Sequence, residues 1–351
     1  MKAIVYSRTG DSDVLGLVER AVPEPGAGEV RVRVRVSGVN PTDWKSRRGG
    51  APGQPTPFAD DRRPSGPAQV PAHEMVPNQD GAGTVDAVGP GVPAERVGER
   101  VWLWEAAWQR ADGTAQEYLV LPAQQAVPLP DHASFDLGAS LGIPALTAHR
   151  CLTVATGGPD RLAPGALAGR TVLVAGGAGA VGNAAIQLAR WAGATVVSTV
   201  SGPEKAALAR AAGADMVVNY RAGDPVAEIR KVAPDGVDLV VEVAPDANAT
   251  LNAEVIAMGG TVAVYAAGEL ALTVRPLMQK NVAYQFLLVY TVPADAKRRA
   301  VEDVAAAVAA GAVRVGAEAG LPLHRFPLEQ TAQAHDAVEA GAVGKVLIDI
   351  G

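Results

Sequence analysis

Three glycines, Gly177, Gly179 and Gly182, have the spacing G-x-G-x-x-G directly after the apolar run Thr171–Ala175. A turn of this composition lets the backbone approach a pyrophosphate, and the amides at the start of the following helix receive its negative charge. Because the chain has 39 glycines, the strand before the turn and the helix after it separate this pattern from an ordinary strand-to-helix turn. The pattern predicts dinucleotide binding by the turn residues Gly176, Gly177, Gly179, Ala180, Val181 and Gly182.

The residues expected to meet the adenosine ribose include no acid. In domains that prefer NAD, an Asp or Glu about 20 residues beyond the glycines receives the ribose 2′-hydroxyl. Here that stretch is Thr199–Ser201. Ser201 and Lys205 could instead bind a 2′-phosphate, which an acid would have repelled. The pattern favours NADPH over NADH, although Ser201, Pro203 and Glu204 would also suit an ordinary helix start.

Two short segments follow further predicted strands of the same domain. Val243–Ala244 comes after the fourth strand and Tyr265–Ala266 after the fifth. In open α/β sheets, ligands bind outside the carboxyl ends of the parallel strands. We therefore expect both segments to contact the cofactor.

The elements that must position these residues follow two patterns. From Thr171 onward, apolar strands alternate with helices, which is typical of a doubly wound parallel sheet in an α/β domain. The first third of the chain has short strands separated by Gly and Pro, which predicts a β-rich, antiparallel or barrel-like domain. Ala294–Ala312 has the pattern of a long helix, and the tail after it is expected to return to the first domain. Arg47–Ala72 is predicted to be a surface excursion.

Composition restricts the class of protein. The 351 residues are 48% hydrophobic and 19% charged, which is typical of a compact fold of about two domains. The net charge of −6 gives no attraction to nucleic acid or anionic membranes, and the alternating arginines of Val30–Val36 fit one solvated face of a strand. The single cysteine, Cys151, and the lack of a signal peptide or membrane span predict a cytoplasmic protein.

Six ordered segments resemble the zinc-independent branch of the medium-chain dehydrogenase/reductases, in particular the quinone oxidoreductase and zeta-crystallin group. The resemblance covers nearly the whole chain. It rests on the glycine turn together with the segments Gly38–Gly49, Asp80–Val92, Gly113–Pro122, Leu141–Leu152 and the ending AVEAGAVGKVLIDI.

The resemblance implies a GroES-like catalytic domain formed by residues 1–126 and 293–351, with a Rossmann NADPH-binding domain at 127–292 between them. It also implies that Tyr220 lies against the adenosine, Arg221 near the phosphate, Thr147 beside the nicotinamide and Lys345 close to the cofactor. The alternative for Tyr220, Arg221 and Lys345 is an ordinary surface position.

No metal is expected. Zinc-dependent relatives have a cysteine where this chain has Asn40, and one cysteine cannot supply their further ligands. The adjacent His73 and Glu74 are poorly placed to converge on one ion. Catalysis would then depend on orienting the nicotinamide and polarising the acceptor oxygen with hydrogen-bond donors. Asn40 is the first candidate for this site, while Asp43 could orient Lys45 or end the loop, and Lys45 could bind the substrate or point into solvent.

These inferences together predict an NADPH-dependent reductase of a small-molecule quinone or similar conjugated carbonyl. One alternative is an ene reductase that reduces the C=C bond of an enone. Another is a nucleotide-binding protein with weak catalysis. The apolar segment Val282–Tyr290 predicts an edge strand that pairs across a two-fold axis and forms a homodimer.

Overall fold

The computed structural model describes residues 1–50 and 74–351. The chain divides into two compact units. The first unit combines Met1–Ile143 with Leu323–Gly351, and the second is Pro144–Pro322. The predicted excursion Arg47–Ala72 lies outside the described residues from position 51 onward.

The described residues form fifteen strands and ten α-helices. The strands are β1 (Lys2–Val5), β2 (Gly16–Glu19), β3 (Glu29–Val39), β4 (Asp80–Val88), β5 (Arg100–Leu103), β6 (Tyr118–Pro122), β7 (Ala126–Pro128), β8 (Thr171–Ala175), β9 (Thr195–Val200), β10 (Met216–Asn219), β11 (Val237–Glu242), β12 (Ile256–Val264), β13 (Ala283–Phe286), β14 (Leu323–Pro327) and β15 (Lys345–Asp349). The helices are α1 (Pro41–Arg47), α2 (Phe135–Gly138), α3 (Gly142–Leu152), α4 (Ala180–Trp191), α5 (Pro203–Ala211), α6 (Pro225–Val232), α7 (Pro245–Val255), α8 (Val274–Gln279), α9 (Ala294–Ala309) and α10 (Thr331–Glu339).

The first unit is built around a mainly antiparallel sheet. Its strand order is β14-β15-β3-β4-β5-β7, and β6 also pairs with β3. Strand β3 alternates valine with arginine, and Val30, Val32 and Val34 are buried in the core of this unit. Since neighbouring side chains of a strand point to opposite faces, the arginines lie on the other face, as predicted. The prediction of a β-rich domain is confirmed.

The second unit contains a six-stranded parallel sheet of order β10-β9-β8-β11-β12-β13. The order reverses between β8 and β11, and this is the switch point at which doubly wound sheets bind ligands. Residues 172–175 of β8 are all buried, because strands covered by helices on both faces are apolar along their whole length. The predicted doubly wound fold is confirmed.

Two predicted elements end earlier than their patterns suggested. Strand β13 ends at Phe286, and Val289–Thr291 form a 3₁₀ turn in which Val289 and Tyr290 are buried. Helix α9 ends at Ala309, followed within two residues by Gly311 at φ +67°. An apolar run does not by itself distinguish a strand from a buried turn.

The domain boundaries drawn from the sequence differ from those of the two units in two segments. Residues 127–143 join the first unit, partly because β7 pairs with β5. Residues 293–322 join the second unit, which includes α9. Among the helices of residues 1–50 and 74–351, none is long and apolar enough to cross a membrane.

Candidate functional site

The glycine turn joins β8 to α4 at the switch point. Gly176 has a φ of +69°, a conformation that favours glycine. A Cβ at Gly177 would overlap Ser198 Oγ, and one at Gly182 would overlap the carbonyl oxygen of Gly176. Gly179 differs, because its only near neighbour would be the Gly176 carbonyl oxygen at 3.5 Å. Two glycines therefore shape the turn, while Gly179, followed by Ala180 and Val181 of α4, leaves space at the helix start.

This cradle fits the pyrophosphate of a dinucleotide. Gly179 is the N-cap of α4, and no side chain caps the helix start. The first amides of a helix that lacks a side-chain cap can donate to an anion. The residues present therefore match the group that the turn predicts.

The predicted 2′-phosphate residues lie at the carboxyl ends of two adjacent strands. Ser201 follows β9, and Tyr220 and Arg221 follow β10. The Tyr220 amide donates to the Val200 carbonyl over 3.1 Å, which joins the two loops. Lys205 lies in the first turn of α5, whose N-cap is Gly202 and has no side-chain cap bond. Ser201 therefore does not cap α5. Tyr220, at the end of the neighbouring strand, is 45% exposed.

The ends of β11 and β12 lie along the same edge of the sheet. Val243 packs beside the glycine turn, since a Cβ at Gly176 would lie 3.2 Å from Val243 Cγ1. The Tyr265 amide donates to the Glu242 carbonyl over 3.1 Å, so Tyr265–Ala266 lies next to Val243–Ala244. The structure thus brings the predicted segments together around the turn.

A buried polar cluster, formed by Asn40, Asp43, Asp80 and Lys345, lies in the first unit. Lys345 Nζ donates to Asn40 Oδ1 over 2.7 Å and lies 3.3 Å from Asp80 Oδ2. Asn40 Nδ2 donates to the same Asp80 oxygen over 2.7 Å. The Lys345 side chain is only 1% exposed and that of Asp80 is fully buried. Lys345 is therefore not a solvated lysine.

Local structure explains how these side chains meet. Asn40 precedes α1, and its backbone amide donates to Asp43 Oδ2 over 2.6 Å. Asp80 opens β4, and the Ile143 amide at the start of α3 donates to Asp80 Oδ1 over 2.8 Å. A negative charge is favourable at a helix N-terminus. Lys345 opens β15, which pairs with β3 and so lies close to Asn40.

The two acidic side chains of the cluster have different partners, since Lys345 pairs with Asp80 and the Asn40 amide donates to Asp43. Burial raises the pKa of Asp80, and the charge of Lys345 and the Asn40 hydrogen bond oppose that rise. Burial and the neighbouring charge of Asp80 raise the pKa of Asp43 to about 8. Among the residues that the structure describes, Asp43 Oδ1 has no hydrogen-bond partner. Asp43 therefore favours its protonated form more strongly than an exposed aspartate does.

Other predicted residues lie elsewhere. Lys45 is half-buried, with its ammonium 5.6 Å from the centre of the Trp44 ring. Asp43 holds the Asn40 amide, and the described hydrogen bonds include none between Asp43 and Lys45. Of the two roles considered for Asp43, the described contact fits the one at the end of the loop, because its buried carboxyl accepts from the Asn40 amide at the start of α1. Thr147 is buried on α3 in the second unit.

Asp80 and Glu242 were missed by sequence reasoning. Each is a fully buried acid at one terminus of a strand. Asp80 is the first residue of β4, and Glu242 is the last residue of β11. A charged residue is rarely buried without hydrogen bonds or a charge partner. The signal was present, but the sequence alone does not show which donors lie nearby.

The donor set around Asn40 does not suit zinc. It offers one amide oxygen, the Asp80 carboxylate that is already paired with an ammonium group and the Asp43 carboxyl that holds the Asn40 amide, whereas zinc sites combine sulfur or imidazole ligands with carboxylates. In the described part of the chain, no three His, Cys, Asp or Glu residues form a group that could hold a metal. His73 lies outside the described residues.

The Asp43 carboxyl gives a testable pH dependence. Because its pKa in the folded protein is raised to about 8, the unfolded chain loses this proton first as the pH rises from 4. We expect the stability of the protein relative to the Asp43→Asn variant to fall between pH 5 and 8, by up to about 1.4 kcal/mol per pH unit. Urea unfolding at four pH values measures this slope. Parallel curves for the two proteins would contradict it, and Asp131→Asn, at an exposed carboxylate, is the control.

Known proteins resemble this chain over its full length. Two family profiles match, the alcohol dehydrogenase GroES-like domain over residues 26–131 and the zinc-binding dehydrogenase over residues 180–315. The quinone oxidoreductase of Lama guanicoe is 30% identical over 353 residues, which cover 99% of this chain and 97% of that protein.

Solved structures show the same extent of similarity. An NAD-dependent alcohol dehydrogenase has a TM-score of 0.80 and 27% identity, with 100% of both chains covered. A mycobacterial protein in complex with NADPH has a TM-score of 0.76 and 28% identity over 99% of both chains. The predicted combination of a GroES-like domain and a Rossmann domain is confirmed.

Proposed function

We propose a reaction for this chain from one premise: it belongs to the quinone oxidoreductase family of the medium-chain dehydrogenase/reductases. The chain is an oxidoreductase of that family, and the cradle at the glycine turn supports a nicotinamide cofactor. Our proposal is that it transfers hydride from NADPH to a quinone or similar conjugated carbonyl, without zinc. The observation that carries the proposal is the sheet edge around Ser201, which offers Lys205 and Arg221 where an NAD site would have an acid.

Different predicted residues would bind different parts of the cofactor. Gly176–Gly182 would hold the pyrophosphate, while Ser201, Lys205 and Arg221 would hold the 2′-phosphate through charge-assisted hydrogen bonds. Tyr220 would lie against the adenosine, and Val243–Ala244 with Tyr265–Ala266 would line the remaining edge of the crevice. NADPH supplies a hydride at its nicotinamide C4. The second unit is thus proposed as the cofactor domain.

The cluster in the first unit is proposed as the catalytic part of the site. Asn40 uses one amide hydrogen for Asp80, and Lys345 uses its ammonium for Asn40 and Asp80. One hydrogen remains on each group, and we propose that these hydrogens donate to the acceptor oxygen. Thr147 and Lys45 are proposed as further contacts, and solvent supplies the proton that completes reduction.

Reduction of the C=C bond of an enone would be helped by a proton-donating tyrosine beside the substrate, and the tyrosines of the first unit do not favour this reaction. Tyr6 is buried, and its burial raises the pKa of its hydroxyl. The Tyr118 ring lies on β6 beneath the Arg31 guanidinium. Neither is placed as an exposed proton donor. Enone reduction is therefore an outcome to be tested rather than the leading proposal.

Initial rates with NADPH and NADH and a simple benzoquinone test the function. We expect NADPH to be preferred, and Lys205→Ala to raise the KM for NADPH at least about tenfold, since hydrogen bonds between charged groups contribute about 1.5 to 3 kcal/mol. The control is Lys231→Ala, at an exposed lysine that pairs with Glu228. Equal use of both cofactors would contradict the NADPH assignment. Loss of the C=C bond of an enone, with no quinone turnover, would favour the ene reductase alternative.

A homodimer is proposed from the open edge of the parallel sheet. Strand β13 is the last strand of the sheet formed by the described residues, and Phe286 at its end is 59% exposed. An apolar edge strand can pair with a second copy. Light scattering should give twice 35.8 kDa, and Phe286→Lys should give the monomer. Leu17→Lys, at an exposed residue of the first unit, should remain dimeric, and a monomeric unmodified protein would refute the proposal.

The proposed partner is a small molecule alone, without nucleic acid or membrane. The acidic net charge of −6 supports this choice. Cys151 is a buried free thiol whose pKa is raised by burial, which agrees with the proposed location in the reducing cytoplasm.

A further inference from the structure

A buried carboxylate outside the predicted site lies at the switch point of the parallel sheet. Glu242 is fully buried and is the last residue of β11. Glu242 Oε1 accepts from the Ala244 amide over 2.6 Å and from Asn248 Nδ2 over 2.9 Å, and Glu242 Oε2 accepts from Asn252 Nδ2 over 2.6 Å. The ion pairs of the described residues include none for Glu242.

The three contacts identify the charge state of this group. Each neighbour donates an N–H, so a proton on Glu242 would meet other donors rather than an acceptor. The side chain is therefore a carboxylate whose negative charge is held by amides and is not neutralised by a cation.

Two tyrosines near Glu242 respond to its charge. Burial, and after it the charge of Glu242, raises the pKa of Tyr284, whose hydroxyl has no hydrogen-bond partner among the described residues. Burial likewise raises the pKa of Tyr265, and the Glu242 charge contributes to that rise. In an environment of low polarity, a charge acts on its neighbours more strongly than it does in water.

Glu242 is linked to the glycine turn through the two residues that follow it. Its bond to the Ala244 amide fixes the turn after β11, where Val243 packs beside Gly176. The strand order reverses between β8 and β11, so Gly176, which follows β8, and Glu242, which ends β11, lie at the two strands that border the ligand crevice.

We infer that Glu242 is a positioning residue for the nicotinamide cofactor, and that its fixed negative charge at the switch point favours the oxidised, positively charged form over the reduced form. The hydrogen bonds account for the positioning, because they hold Val243 and Ala244 in place. The unpaired negative charge accounts for the preference for the oxidised cofactor, because a positive nicotinamide ring is attracted to it and a neutral ring is not. This inference rests on the proposed function for the presence of a nicotinamide cofactor.

Binding of NADP⁺ and NADPH to the full chain, measured by calorimetry without a quinone, tests the inference. We expect Glu242→Gln to weaken NADP⁺ by about three- to tenfold more than NADPH, as removal of one charge from a fully buried position implies. A purely structural role would weaken both forms equally. An unchanged ratio of the two dissociation constants would therefore overturn the inference.

A second variant keeps the test decisive if Glu242→Gln does not fold. Asn252→Ala removes one donor and leaves the charge, so we expect it to preserve or increase the preference for NADP⁺ while weakening both forms. A preference for NADP⁺ that Asn252→Ala abolishes would contradict the role of the charge. Failure of the proposed function has a different signature, since the unmodified chain would then bind neither form, and both proposals would fall together.

Discussion

Replacing Lys345 with methionine is expected to lower the free energy of unfolding by about 3 to 5 kcal/mol, because removal of one partner leaves an uncompensated buried charge. The Lys345 ammonium is the only cation that the described contacts place beside Asp80. Asn40 would also lose the donor to its amide oxygen. Urea unfolding monitored by circular dichroism measures the change.

The double variant Lys345→Met with Asp80→Asn separates charge from packing. We expect it to be less destabilised than the sum of the two single variants, since neither buried charge remains. Lys2→Met is the matched control, because Lys2 forms an exposed ion pair with Glu329, and surface pairs contribute little. A loss for Lys345→Met no greater than that for Lys2→Met would show that the cluster does not depend on its ammonium group.

Gly182→Ala is expected to have the second large effect. The new methyl group would overlap the Gly176 carbonyl oxygen and lie 2.9 Å from Gly177 Cα, so the turn backbone itself would have to move. Overpacking of this kind costs about 1 to 3 kcal/mol. We expect a matching loss of stability together with a loss of NADPH binding that exceeds tenfold, measured by thermal unfolding and calorimetry.

Gly179→Ala separates an effect on the fold of the turn from an effect on the cofactor that binds there. An alanine there meets only the Gly176 carbonyl oxygen at 3.5 Å, and the φ of −84° suits any residue. Its stability should therefore be unchanged, while a methyl group facing the predicted pyrophosphate should still weaken NADPH. Unchanged binding by Gly179→Ala would place the pyrophosphate elsewhere, and a stable Gly182→Ala would show that the turn tolerates a side chain.

The parts of the fold that depend on local pattern were predictable. Residues 172–175 of β8 are buried because the segment is continuously apolar, and the valines of β3 are buried because they alternate with arginine. The glycine turn could be predicted for the same reason, since its strand, glycines and helix lie within one stretch of sequence. The early end of β13 could not, because the apolar residues beyond Phe286 suit a strand or a buried turn equally.

The contacts of the candidate site depend on distant parts of the chain. Asn40 was identified by its own motif, but its partners Asp80 and Lys345 are 40 and 305 residues away in sequence. No periodicity links such residues, and Lys345 suited both a surface and a cofactor position. Glu242 was hidden for a similar reason, since its donors include Asn252 on the following helix.

The separation of 305 residues between Asn40 and Lys345 has a consequence for biosynthesis. At five to twenty residues per second, a ribosome needs about 15 to 60 s to reach Lys345 after it has added Asn40. During that interval the second unit, Pro144–Pro322, emerges as one continuous stretch and can fold, whereas Asp80 still lacks its counter-ion. The nascent chain thus carries an unfinished β-rich unit until β15 arrives, and we expect this unit to be the part of the molecule that benefits most from a chaperone.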